Sequence, residues 1–108
     1  MQERTIPTPS DRIEVRNITS PNHISHVDRA KYTAMRTALL AVLPKTAPGL
    51  TVAQAQAALL PLLDPDHFPG GAKAGGWMNC VQLDLEARDV IARAATPPVR
   101  LHRTDTKA

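Results

Sequence analysis

Basic side chains near the C-terminus are the first residues whose type and spacing point to a chemistry. Between positions 93 and 103 the sequence carries three arginines and no acid. Guanidinium groups bind phosphate oxygens, whereas Asn and Gln side chains can hydrogen-bond to base edges. We therefore predict that nucleic acid is contacted by six residues: Arg93, Arg100, Arg103, Asn79, Gln82 and Arg36.

The charge distribution permits this prediction but does not require it. The net charge is +3 over 108 residues, with +2 in residues 28–44, +2 in residues 89–108 and −2 in residues 51–69. The segment from Lys73 to Arg88 sums to zero because it contains two acids, one of them Glu86. The competing interpretation is a solvated charged surface with no partner.

The histidines provide a possible metal chemistry. His23, His26 and Asp28 form an H-x-x-H-x-D pattern, and His67 lies farther along the chain. Zinc needs three or four ligands that converge on one point, and two loop histidines supply at most half of them. We expect these side chains to bond to the backbone, and we expect no bound metal and no cofactor.

A glycine-rich segment, GGAKAGG at positions 70–76, is similar in composition to a phosphate-binding loop. Lys73 and the backbone at Gly71 could hold an anion at the start of a helix. A P-loop also needs Ser or Thr after its lysine and a strand before its first glycine, and neither is present. A tight turn and a close approach of the following helix are the favoured roles of these glycines.

Two further residues are candidates for catalysis. Asp84 has Arg88 one helical turn later, which predicts a structural ion pair, and no second titratable group is placed to converge on it. Cys80 is the single cysteine and lies among apolar residues, which favours a buried, reduced thiol. We therefore assign no catalytic residue and expect a non-enzymatic protein.

The elements that must position these residues form one α+β domain over residues 12–103, with a flexible tail at 1–11 and a frayed C-terminus at 104–108. Ten prolines and three aromatic residues predict short elements and an aliphatic core. No apolar run approaches the roughly 20 residues needed to cross a bilayer, so a cytoplasmic protein is expected. The predicted order is a strand at 13–18, a loop at 19–26, a helix from the Asp28 cap to Pro44, a helix capped by Thr51 and Gln54, a helix over about 72–88, and a hairpin turning at Pro97-Pro98.

The third helix is apolar on two sides, which is typical of a central helix or of one that meets a partner chain. Its first apolar side is predicted to face the core and contains Ala74, Trp77, Met78, Val81 and Leu85. Its second, which we name the apolar arc, contains Gly76, Cys80, Leu83 and Ala87 and predicts an alternative function as a homodimer interface. The polar side between them contains Gly75, Asn79, Gln82 and Glu86.

Two resemblances to known proteins follow from longer segments. The segments GLTVAQAQAALL and LDLEARDVIARAATPPVRLHR resemble the second and third helices and the wing of winged helix-turn-helix proteins, which implies DNA binding through helix three and the wing. Asp89 stands where many wings begin with glycine, and the connection at residues 64–71 exceeds the usual turn of about three or four residues. The segments VRNITSPNHISHVDRAKYTAMRTALL and FPGGAKAGGWMNCVQLDLEA also resemble a family of small bacterial proteins with no assigned function.

Overall fold

The computed structural model describes residues 12–20, 22 and 24–104, so the predicted tail at 1–11 and residues 105–108 lie outside it. Three helices carry two small antiparallel sheets, in which β1 pairs with β2 and the second sheet has the order β3-β5-β4. The predicted α+β class, with an N-terminal strand and a C-terminal hairpin, is confirmed. The elements are β1 (Arg12–Val15), β2 (Ser25–Asp28), α1 (Arg29–Val42), β3 (Leu50–Thr51), α2 (Val52–Leu59), α3 (Ala74–Ala87), β4 (Ile91–Arg93) and β5 (Arg100–Arg103).

The first two helices begin at the predicted caps. The Asp28 carboxylate accepts a hydrogen bond from the Lys31 backbone N–H at 2.9 Å. Thr51 Oγ1 accepts from the Gln54 N–H at 3.1 Å, and Gln54 Oε1 accepts in return from the Thr51 N–H at 3.0 Å. Each cap satisfies amides that the first helical turn leaves unpaired, so these local signals fix where α1 and α2 start. Pro61 lies in a 3-10 helix, Leu60–Leu62, that tightens the end of α2.

The core lies between the three helices and is built from the predicted apolar sides. Phe68 is buried and packs edge-on against Trp77, with 6.4 Å between ring centroids, so it anchors the long α2–α3 connection. Along α1 the buried residues are Tyr32, Met35, Ala38 and Leu39, and the buried apolar residues of α3 are Ala74, Met78, Val81 and Leu85. The predicted core side of α3 is therefore confirmed at Ala74, Met78, Val81 and Leu85, whereas Trp77 is half-buried.

Two strands were not predicted. β2 overlaps the predicted loop at 19–26, because Ser25 and Val27 pair with Val15 and Ile13 of β1. β3 pairs with β5 over two residues, with Leu50 opposite Leu101. Just before β3, Gly49 has a φ of 89°, and a Cβ placed there would lie 1.8 Å from the Leu101 carbonyl oxygen. Only glycine allows the segment before β3 to approach the backbone of β5 this closely.

The start and end of α3 depend on left-handed residues. Gly70 and Gly71 have positive φ angles and form the predicted turn, whereas a Cβ at Gly76 would have no atom within 4 Å, so no close helix approach depends on that glycine. Asp89 adopts φ 62° after the helix, at the position where the sequence has no glycine.

No helix in the described part of the chain is long and apolar enough to cross a membrane.

Candidate nucleic-acid interface

Arg93 holds the wing, which we define as β4, β5 and the turn between them, against α3. Arg93 pairs across the sheet with buried Leu101, so its side chain leaves the sheet on the core side. There its Nε lies 2.5 Å from Glu86 Oε1 and its Nη2 lies 2.8 Å from Oε2. These hydrogen bonds raise the pKa of Arg93. A bidentate pair of this kind fixes the orientation of the guanidinium and pairs its charge with that of Glu86. Arg93 therefore has a structural role.

Arg103 holds the other strand of the wing against α1. Its Nε donates to the carbonyl oxygen of Leu43 at 2.9 Å, and its backbone N–H donates to the Pro44 carbonyl at 2.7 Å. Because the last carbonyls of a helix lack partners within the helix, a guanidinium is a favourable cap there. Arg103 therefore fixes β5 at the end of α1.

Arg100 lies on the opposite face of the sheet. It pairs with Thr51 of β3 and alternates with buried Leu101, so it leaves the sheet away from the core. Its guanidinium has no hydrogen-bond or ion-pair partner among residues 12–20, 22 and 24–104. The three wing arginines thus do not form one face, and only Arg100 is open to a ligand.

The surface of α3 differs from the sequence prediction because two residues of its polar side are buried. Gln82 and Glu86 are 5% and 3% exposed, and Gln82 Nε2 donates to Glu86 Oε2 at 3.1 Å. The Gln82 amide therefore faces Glu86 inside the protein and not a base edge. Asn79 and Lys73 remain exposed, at the helix middle and start. The helical pattern of α3 did not predict this burial, because Glu86 is covered by Arg93, which belongs to β4.

Asp84 is fully buried at the junction of three elements. Its Oδ1 accepts from Arg88 Nε at 2.9 Å and from the Arg16 backbone N–H at 2.7 Å, and its Oδ2 accepts from the Tyr32 hydroxyl. Burial, followed by the contact with Asp84, raises the pKa of Tyr32. The predicted ion pair with Arg88 is confirmed. The other two partners were missed, although a tyrosine on the core side of α1 needs a buried acceptor.

The apolar arc of α3 is partly covered by the chain that follows β1. Leu83 and Ala87 are half-buried and line clefts together with Arg16 and Asn17. Gly76 lines an open depression of about 430 Å³, shared with Val27, Lys73, Trp77 and Cys80, and Cys80 also lines the cleft that contains Leu83. Burial raises the pKa of the Cys80 thiol, and nearby Asp84 adds to this effect.

The remaining predicted residues lie apart from one another. Arg36 is half-buried on α1, and Gly71 lies in the turn before exposed Lys73. His26 is exposed on β2, and His67 Nδ1 lies 3.0 Å from Asp64 Oδ2. His23 is outside the described residues. Among those that are described, no three His, Cys, Asp or Glu side chains are grouped as metal ligands would be.

The comparisons with known proteins give one match. A model of a family of unknown function matches residues 12–101, a span that includes both sheets and all three helices. No curated protein and no solved structure matches the chain.

Proposed function

The chain belongs to DUF6958, a family of unknown function, and from its structure we propose that it is a non-enzymatic, winged-helix-like module that binds double-stranded DNA. The supporting topology is the order α1-β3-α2-α3-β4-β5, in which the strand before α2 pairs with the last strand of the wing. This order places a helix beside a hairpin, as in winged-helix DNA-binding proteins. Arg93 and Arg103 fix the hairpin relative to α3 and α1. DNA binding therefore requires little further ordering of the hairpin, which lowers its entropic cost.

The observation that carries the proposal is the burial of both acids of α3. Asp84 and Glu86 are compensated by Arg88 and Arg93, so neither carboxylate opposes a phosphate. Lys73 and Asn79 remain exposed on α3, and Arg100 on the wing is half-buried. In this arrangement Lys73 and Arg100 contact phosphates and Asn79 hydrogen-bonds to a base edge. Gln82, Arg93 and Arg103 stabilise α3 and the wing through their hydrogen bonds.

Binding of a mixed-sequence DNA duplex across a salt series tests the proposal. Each phosphate contact adds about 0.9 to the steepness of log K against log salt concentration. We expect Arg100→Ala to reduce the slope by about that amount. Lys31→Ala is the control, because it removes the same charge from the first turn of α1, outside α3 and the wing.

Two results would count against DNA binding: an absence of binding at low salt, and an equal effect of Arg100→Ala and Lys31→Ala. Arg93→Ala helps to interpret a positive result. Because Arg93 is bonded to Glu86, its loss should lower the free energy of unfolding as well as the affinity, whereas Arg100→Ala should lower the affinity alone.

The alternative function is self-association through the apolar arc, and the open depression at Gly76, Trp77 and Cys80 supports it. Gly76→Glu is the appropriate variant, because a Cβ at this exposed helical position has no described atom of another element within 4 Å. Light scattering should then show a wild-type dimer and a monomeric variant. A wild-type monomer, or a dimer that persists in the variant, would exclude this interface.

A further inference from the structure

We infer that the segment following β1 extends the proposed DNA surface, with Arg16 as a phosphate contact beside Asn79; this inference rests on the proposed function. The segment belongs neither to α3 nor to the wing. It reaches α3 from the N-terminal side of the chain, so it would widen the interface beyond α3 and the wing.

Arg16 and Asn17 lie beside α3, between exposed Asn79 and half-buried Leu83 and Ala87 of the apolar arc. Together with Ser25 of β2 and Asn79, they line a cleft of about 210 Å³. The same two residues line a second cleft beside Glu86, Ala87 and the exposed Asp89, so the segment runs along the helix, and the phosphate contact is assigned to the first cleft. Beside the apolar or weakly polar Val15, Cys80 and Leu83, the first cleft contains one guanidinium, two amides and one hydroxyl, groups that bind phosphate and sugar oxygens in DNA complexes.

The segment is held in place by bonds that do not use the Arg16 side chain. The Arg16 backbone N–H donates to buried Asp84 at 2.7 Å. Asn17 Oδ1 accepts from the backbone N–H and the hydroxyl of Thr19, at 2.8 Å and 2.6 Å. Asp84 is thus a positioning residue that presents Arg16 and Asn17 without itself reaching the surface.

The Arg16 guanidinium is available for a ligand. Its side chain is 52% exposed. Its Nη2 lies 3.5 Å from Oε2 of Glu14, whose side chain is 42% exposed, so the ion pair is open to water. Exposed pairs of this kind contribute little to stability. Exchange of Glu14 for a phosphate oxygen therefore costs the fold little, and an arginine–phosphate contact can be bidentate.

The experiment uses the same DNA duplex and salt series. Arg16→Ala should reduce the slope by about 0.9, and Arg16→Lys should keep it. Arg12→Ala is the matched control, because it removes an exposed arginine from the same hairpin but outside both clefts, and it should leave the slope unchanged. Circular dichroism of each variant verifies that the fold is retained.

A coupled variant tests the positioning role of Asp84. Asp84→Asn weakens the acceptor that holds the Arg16 N–H, so Arg16→Ala should lower affinity by a smaller factor in that background than in the wild type. Equal factors would overturn the positioning role. If Arg100→Ala reduces the slope and Arg16→Ala does not, the extended surface is wrong and the proposed function stands. If the wild type binds no DNA, both fail.

Discussion

The hydroxyl of Tyr32 donates a hydrogen bond to Oδ2 of Asp84, joining α1 to α3 within the core. The acceptor is a fully buried carboxylate whose other oxygen is bonded to Arg88 and to the backbone of Arg16. A buried charge is tolerated only when its hydrogen bonds are satisfied, and here three donors from three segments satisfy it.

We predict that Tyr32 resists ionisation in the folded protein. Burial and the neighbouring Asp84 raise its pKa above the ordinary value of 10.0, so the folded state holds this proton more tightly than the unfolded state. The resulting stability is fully present below pH 10.0 and is lost as pH rises above it. Tyr32 is the single tyrosine, so tyrosinate absorbance in an alkaline titration reports on it alone.

The expected result is that tyrosinate forms only as the protein unfolds. Asp84→Asn is the control, because removal of the carboxylate charge should lower the pKa of Tyr32 relative to the wild type while burial still holds it above 10.0. Ionisation of Tyr32 near its ordinary pKa in the folded wild type would contradict the prediction.

Loss of Arg88 should destabilise the protein more than neutralisation of Asp84. Arg88→Met leaves a buried carboxylate without its counter-ion and should cost about 3 kcal/mol. Asp84→Asn removes the charge but keeps an acceptor of the same shape, and should cost about 1–2 kcal/mol. Urea unfolding followed by the fluorescence of Trp77, the single tryptophan, measures both. Exposed Lys45→Met serves as the reference and should change stability by less than about 0.5 kcal/mol. The reverse order of the two costs would contradict the role of Arg88 as the partner of the buried Asp84 side chain.

Two glycines should respond in opposite directions to alanine. At Gly49 the new Cβ would lie 1.8 Å from the Leu101 carbonyl oxygen, and the backbone there is left-handed. We expect Gly49→Ala to cost about 3 kcal/mol or more, because β3 must separate from β5. At Gly76 a Cβ meets nothing and the residue is helical, so Gly76→Ala should stabilise by about 0.5–1 kcal/mol. The urea unfolding midpoints of the two variants measure these changes in stability. A loss of stability in Gly76→Ala would contradict the conclusion that a Cβ at this position has no close neighbour.

Sequence signals that act within a few residues predicted much of this fold. The Asp28 cap and the Thr51 capping box each depend on neighbours within one turn of helix. β3 was missed because a two-residue strand has no periodicity and exists only through its pairing with β5. Such pairing depends on residues about half the chain apart, which a local pattern does not reveal.

The candidate site was harder to predict for a related reason. The sequence supplied three arginines in one short segment, but strand register decides which face each occupies. Register places Arg93 towards α3 and Arg100 on the opposite face. The helical pattern of α3 likewise placed Glu86 on a polar side, and its burial depends on the same Arg93. Arg16 was not predicted as a site residue, because its place beside α3 follows from a backbone hydrogen bond to Asp84.

The buried carboxylate of Asp84 also bears on how the chain folds. Its partners Tyr32 and Arg16 are 52 and 68 positions away in sequence. Loop closure over such separations must precede the bonds that stabilise it, which slows folding relative to a purely local helical bundle. Since the charge is satisfied only when the hairpin, α1 and α3 are assembled together, these parts form one cooperative unit that unfolds in a single transition.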